Sequence, residues 1–142
     1  MNSSPIRGSL WAVVVLAIAA SSCGTSLAGP DPVAFEDVTW KLESLAYTDG
    51  TSVTIADPDA FTALFAGGER LHVQADCNVC NGSYGAEDSS ISISPLGCTR
   101  AYCFSAPLDT DYVSALQAAT TIQGIDGKLL LRAPDVTLTF GR

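Results

Sequence analysis

Two cysteine pairs hold most of the reactive chemistry in this sequence: Cys77 and Cys80 in DCNVC, then Cys98 and Cys103 in GCTRAYC. Four thiolates from two such pairs would make a tetrahedral zinc site in a cytosolic protein. A Cys-x-x-Cys pair would make a redox centre if a helix N-terminus stabilised its first thiolate. In an oxidising compartment the same four sulfurs would form disulfides. Zinc ribbons carry glycine-rich turns after each pair, and these pairs lack them. Asn81-Gly82 directly after Cys80 breaks a helix rather than starting one. The single histidine, His72, falls on the polar side of RLHVQ with Arg70 and Gln74, and no nucleophile-elbow glycine pattern accompanies it. Gly67-Gly68 reads as a turn, since neither a lysine nor a helix start follows as in a phosphate loop. Asn81-Gly82-Ser83 is formally a glycosylation sequon and is read as turn chemistry. The residues predict no catalytic group, no metal and no cofactor.

The fate of the sulfurs depends on compartment, and the first residues address it. Arg7, the apolar run LWAVVVLAIAA and the small residues after it match a secretory signal peptide over residues 1–22. Roughly eleven apolar residues fall short of the about 20 that span a bilayer as a helix. Ala20-Ser21-Ser22-Cys23 resembles a bacterial lipobox, with Ala20 where leucine is usual, which makes Cys23 the expected lipidation (palmitate) site. Five cysteines in total leave four to pair once Cys23 is acylated. Several acyl chains at about 0.8 kcal/mol per buried methylene would anchor the protein firmly. Residues 23–36, rich in Gly, Ser and Pro, read as a flexible tether, and 37–142 as one domain. Without Arg7 the chain carries 15 acidic and 6 basic residues. That balance argues against nucleic acid and against electrostatic adhesion to anionic lipid. The expected location is therefore the extracytoplasmic face of a cell membrane, with secretion as the alternative.

Period-two alternation runs through most of the domain. VTWKLESL places Val38, Trp40 and Leu42 on one face. SVTI follows the Asp49-Gly50 turn signal. FTALF and RLHV form a hairpin around Gly67-Gly68, with Phe61, Ala63 and Phe65 inward and a short helix over Asp59 to Phe65 as the rival. NGSYGA and SISISP form another, with Ile91 and Ile93 inward. KLLLR and VTLTF close the chain, with Val136, Leu138 and Phe140 on one face. LDTDYVSALQAA breaks this rhythm: Leu108, Tyr112, Leu116 and Ala119 recur at helical spacing, with Asp109 or Thr110 as N-cap and Ser114 and Gln117 on the polar side. The expected fold is mainly β (α+β): a compact antiparallel barrel-like sheet of about seven to eight short strands, with one helix over 108–119.

Hairpin register selects among the three possible disulfide connectivities. With the turn centred on Asp88 to Ser90, opposed residue numbers sum to about 178, which pairs Tyr84 with Ser94 and sets Cys80 opposite Cys98. Cys77 then faces the neighbourhood of Cys103. The predicted bridges are the nested pairs Cys77–Cys103 and Cys80–Cys98.

TWKLESL, ADCNVCNGSY and ISPLGCTRAYC together resemble the META domain, the family of the heat-shock protein HslJ. The resemblance rests on Trp40 and Leu42; on Cys77, Asn78, Gly82 and Tyr84; on Pro95 and Leu96; on Thr99, Arg100 and Cys103; and on Leu116, Leu138 and Phe140. It runs from about Asp37 to Gly141. Cys80 and Cys98 are additional to the family pattern, Asp76 stands where the family usually has Gly, and Ala101-Tyr102 replaces a common Met-Ala. The resemblance implies a small antiparallel barrel with one helix and no enzymatic activity, in a family linked to envelope stress, antibiotic tolerance, and secretion or motility.

The leading expectation is thus a lipid-anchored, non-catalytic binding or structural module of the cell envelope. It would hold the membrane through Cys23 and meet an unknown envelope protein or small ligand. The alternative is a secreted inhibitor or small-ligand-binding barrel, using a stapled loop such as Leu96 to Tyr102. A zinc or thiol-redox protein comes third.

Overall fold

The computed structural model describes residues 34–104 and 107–142. The expected signal peptide, Cys23 and most of the tether lie outside the described residues. Ten strands and one helix follow in order: β1 (Thr39–Tyr47), β2 (Ser52–Thr54), β3 (Phe61–Ala66), β4 (Arg70–Ala75), β5 (Asn78–Glu87), β6 (Ser90–Ile93), β7 (Gly97–Cys98), α1 (Leu108–Ala118), β8 (Thr121–Ile125), β9 (Lys128–Arg132) and β10 (Val136–Gly141). Eight of the strands close an antiparallel ring, β1-β3-β4-β5-β6-β8-β9-β10, with β10 returning to β1. β2 hangs on β1 and β7 on β5. A ring of this size leaves an interior just wide enough for side chains to fill. Trp40, Leu42, Leu45, Phe65, Leu71, Leu129, Leu131, Leu138 and Phe140 fill it, each buried.

Phe61, Ala63, Phe65, Leu71, Val73 and Ala75 are buried, while Arg70, His72 and Gln74 are exposed, as the alternation predicts. The rival helix shrinks to one 3-10 turn at Pro58–Ala60. Alternation breaks in β1, where the pairing slips between Leu42 and Ser44. The bulge makes Glu43 the extra residue, so Leu42 and Leu45, three apart, both point inward. Glu43 then meets the Lys128 ammonium outside the ring. Val38, expected inward, is only half-buried. Phe35 and Glu36, assigned to the tether by sequence, belong to the fold: the Phe35 ring meets Phe65 edge-on at 5.4 Å, and Glu36 bridges to Phe65.

Helix α1 packs against β4, β6 and β10 and so covers one mouth of the barrel. Tyr112, Ala115 and Leu116 form its buried stripe. Its N-cap is Pro107 rather than Asp109 or Thr110, and no side chain caps it. β6 joins β8 through a single bridge, Ser90↔Thr121, flanked by Ile91 N–H to Thr120 O and Ile122 N–H to Ser89 O. Beyond that seam the helix substitutes for a neighbour strand, since the Leu96 N–H donates to Gln117 Oε1 at 2.7 Å.

The β5–β6 turn is tighter than its sequence suggests. Glu87 pairs with Ser90 and Tyr84 with Ile93, not Ser94. Cys80 nevertheless pairs with Cys98, so one extra residue is absorbed between β6 and β7. That bulge, around Ser94 to Leu96, sits over Gly82. A Cβ on Gly82 would lie 2.6 Å from Leu96 Cδ2 and 3.1 Å from Ser94 Oγ. Gly82→Ala is expected to cost about 1–2 kcal/mol, because Leu96 must move off its seat. Urea unfolding should show a lower midpoint with an unchanged slope.

Tyr112 is fully buried against Phe61 and Phe140, at centroid distances of 5.8 and 6.2 Å. Its hydroxyl has no hydrogen-bond partner. Leaving such a group unpaired costs roughly 1–3 kcal/mol, so Tyr112→Phe is expected to stabilise the fold by about 1 kcal/mol. Burial also raises the Tyr112 pKa well above the ordinary value of 10.0. Tyr84 is raised as well, first by burial and then by donating to Glu36. Folded tyrosines therefore keep protons that unfolded ones lose near pH 10. Stability should be full below that pH and fall as pH rises above it. Tyr112→Phe should flatten that decline, as followed by unfolding midpoints.

Candidate functional site at the stapled end of the barrel

Disulfides join Cys77 to Cys103 and Cys80 to Cys98, with Cα–Cα distances of 5.6 and 4.0 Å. The bridges nest as the register predicts. With all four sulfurs bonded to one another, none is left as a zinc ligand or free thiolate. Among the described residues no group of three or more His, Cys, Asp or Glu gathers as a metal site.

The turn between β4 and β5 is Asp76-Cys77, since Ala75 pairs with Asn78. Asp76 has φ +57, the left-handed region that favours glycine and that aspartate tolerates. The conformation fits the glycine that the resemblance implies at this place, with Asp76 in its stead.

Asn78 follows, and apart from the Tyr112 hydroxyl it is the one buried polar side chain among the described residues, 6% exposed. Its Oδ1 accepts from Ala101 N–H at 2.7 Å and from Thr99 Oγ1 at 3.1 Å. Its Nδ2 donates to Ala101 O at 3.1 Å, and also approaches Cys103 Sγ and Asp109 Oδ2 at 3.2 and 3.3 Å. The side-chain amide thus exchanges both main-chain bonds with Ala101, as an opposed strand residue would. Thr99 continues the same ladder: its N–H donates to Val79 O at 3.0 Å, and its Oγ1 accepts from Val79 N–H at 3.0 Å. The segment from Gly97 to Ala101 is therefore held like a strand along β5, although only Gly97–Cys98 is regular β.

A cleft of about 560 Å³ separates this segment from α1. Cys98, Arg100 and Tyr102 line one side; Asp109, Val113 and Ser114 line the other. Val79, Tyr102 and Phe104 stand out as exposed apolar groups, Tyr102 at 90% and Phe104 at 104% exposure. Arg100 is exposed, and the two ion pairs among the described residues, Lys41–Asp59 and Lys128–Glu43, do not involve it.

The residues that carry the META resemblance fall into separate places. Asn78, Thr99, Arg100, Cys77 and Cys103 meet at the stapled end. Gly82 and Pro95 meet at the bulge. Trp40 and Tyr84 lie elsewhere and pin the entering chain: Trp40 Nε1 donates to Phe35 O at 2.9 Å, and Tyr84 OH donates to Glu36 Oε1 at 2.5 Å. His72 faces Asn81 across the outer surface, Nδ1 to Oδ1 2.6 Å, away from the cleft. Sequence reading missed Asp109 and Gln117 as partners of the stapled segment, because no local pattern records a contact made after an intervening turn.

Fold and site together define a small closed β-barrel with a helix over one mouth and a doubly stapled strand beside that helix. The sequence model of the META domain matches residues 33–142, and the chain belongs to the META domain family. No curated protein matches it significantly. Among solved structures, an NMR structure of a protein from Burkholderia xenovorans is similar at 26% identity, with a TM-score of 0.64 over 80% of this chain and 91% of that one. A crystal structure of a DUF4847 family protein from Bacteroides vulgatus is similar in fold at 16% identity, with a TM-score of 0.55 over 76% of this chain and 94% of that one.

Proposed function

We propose that this protein is a lipid-anchored, non-catalytic binding module on the extracytoplasmic face of the cell envelope, with the stapled end as its contact surface. The observation that carries the reading is the exposed group Arg100, Tyr102 and Phe104 on a segment fixed by two disulfides and Asn78. Arginine and aromatic side chains on a preorganised support are what protein contacts favour, because little conformational entropy remains to be lost. The chain enters beside Phe65, whereas the staple lies beyond Ala75, which pairs with Phe61 at the other end of β3 and β4. An anchor at Cys23 would therefore leave the stapled end directed away from its attachment. A part in envelope stress or antibiotic tolerance rests on the family resemblance alone. A ligand carried inside the barrel is disfavoured, since Trp40, Leu71 and Phe140 occupy the interior.

Growth with labelled palmitate tests the anchor. Wild type should take up label and Cys23→Ser should not; an unlabelled wild type contradicts lipidation. A photo-crosslinking residue at position 102 should give a discrete adduct in intact cells, and one at His72, on the outer sheet face and outside the cleft lining, should not. Equal yields from both positions would contradict the assigned face.

A further inference from the structure

The hydrogen bonds of the stapled segment alternate in direction. Thr99 and Ala101 direct main-chain groups to the β5 side, onto Val79 and the Asn78 amide. Arg100 lies between these two, and Cys98 lies between Thr99 and Gly97, which pairs with Asn81. Cys98 opposite Cys80 therefore forms a non-hydrogen-bonded pair whose own N–H and C=O turn the other way. Leu96, two residues earlier, confirms the direction, because its N–H reaches Gln117 on α1. Cys98 and Arg100 thus present a strand edge to the cleft, which both of them line.

We propose that this edge accepts an extended peptide segment of a partner protein by strand addition. The peptide would bond its main chain to Cys98 and Arg100 and place an acidic side chain against the Arg100 guanidinium. This rests on the stapled end being the contact surface, and it names the occupant. An unpaired strand edge supplies main-chain affinity, while alternate side chains of the peptide fill the flanking pockets. The cleft, about 560 Å³, lies within the roughly 300–1,000 Å³ of ordinary ligand sites. Its walls suit alternation: Val113 and Tyr102 are apolar, Ser114 is small, and Arg100 is the cation. Of the Asp109 carboxylate, Oδ2 is engaged by Asn78 on the inner side and Oδ1 is buried without a partner. The peptide's acidic side chain therefore belongs at the Arg100 end of the cleft. The two staples matter here, because a preordered edge avoids the entropic cost of forming one on binding.

The test uses the air-oxidised protein and randomised eight-residue peptides displayed on phage. Selected peptides should carry an acidic residue and bind the purified protein by calorimetry. N-methylation at the one or two alternate positions facing Cys98 and Arg100 should weaken binding at least tenfold, while methylation at their neighbours should not. Arg100→Glu should weaken it at least tenfold, and Ser114→Trp, which fills the cleft from an exposed helical position, should abolish it. In NMR spectra the Cys98 amide should shift on binding. Peptides that tolerate methylation everywhere, or that bind Ser114→Trp unchanged, would overturn the proposal. Failure to select any peptide while position 102 still crosslinks one partner would overturn strand addition and leave the contact surface standing.

Discussion

Asn78→Ala is expected to lower the unfolding free energy by about 3 kcal/mol, a large effect for one polar side chain. The size follows from what the amide satisfies. Its two Nδ2 hydrogens face three acceptors, Ala101 O, Cys103 Sγ and Asp109 Oδ2, and its Oδ1 takes both Ala101 N–H and Thr99 Oγ1. Removing the side chain strands the N–H and C=O of Ala101 together and leaves the Asp109 carboxylate, whose Oδ1 already lacks a partner, without its donor. Asn78→Asp keeps the shape but turns an acceptor toward the Ala101 carbonyl and the Asp109 carboxylate. It should destabilise at neutral pH and recover part of the loss on acidification, as the introduced carboxyl takes up a proton. Urea titrations at pH 7 and pH 4 distinguish the two variants. Equal stability of wild type and Asn78→Ala would mean that the amide is not the organiser of the segment.

Removing both disulfides has the larger expected effect. On the chain-entropy scale, loops of 26 and 18 residues are worth about 3 kcal/mol each when closed alone. Nesting makes them non-additive. Once Cys80 is bonded to Cys98, the outer bridge closes only the short arms 77–80 and 98–103, so its further contribution falls to about 2.5 kcal/mol. Each double variant, Cys77→Ala/Cys103→Ala or Cys80→Ala/Cys98→Ala, keeps the other bridge and should lose only about 2–2.5 kcal/mol, while the quadruple variant should lose about 5.5–6, more than the two losses together. Alanine is the apt replacement, since Cys80 and Cys103 are buried and a serine hydroxyl would need a partner. A quadruple loss no larger than the sum of the two double-variant losses would contradict the nested arrangement.

Much of this was legible in the sequence because it is local or periodic. Alternation located β3, β4, β9 and β10, and helical spacing located α1 within one residue of its end. The Cys80–Cys98 pairing also followed from register, although the route contains two offsets that cancel. A turn of two residues sets Tyr84 against Ile93, and the bulge over Gly82 restores the original alignment at Cys98. Neither offset leaves a periodic trace. β8 escaped notice because TIQGI buries only Ile122 and holds a glycine inside a five-residue strand. Closure of β10 on β1 is a contact between the two ends of the domain, which no window along the chain contains. Asn78 was visible as a motif residue, while its role as a surrogate strand partner depends on Ala101, 23 residues away.

Amide hydrogen exchange at Ala101 tests the central claim most directly, namely that Asn78 and the staples hold Gly97 to Ala101 as a rigid strand. Its N–H meets only a side chain, Asn78 Oδ1 at 2.7 Å, so its protection reports that one contact. A rigid stapled segment predicts an Ala101 amide protected in wild type and exchanging at the free-loop rate in Asn78→Ala, while β3 and β4 stay protected in both. An Ala101 amide that already exchanges freely in the oxidised wild-type protein would contradict it.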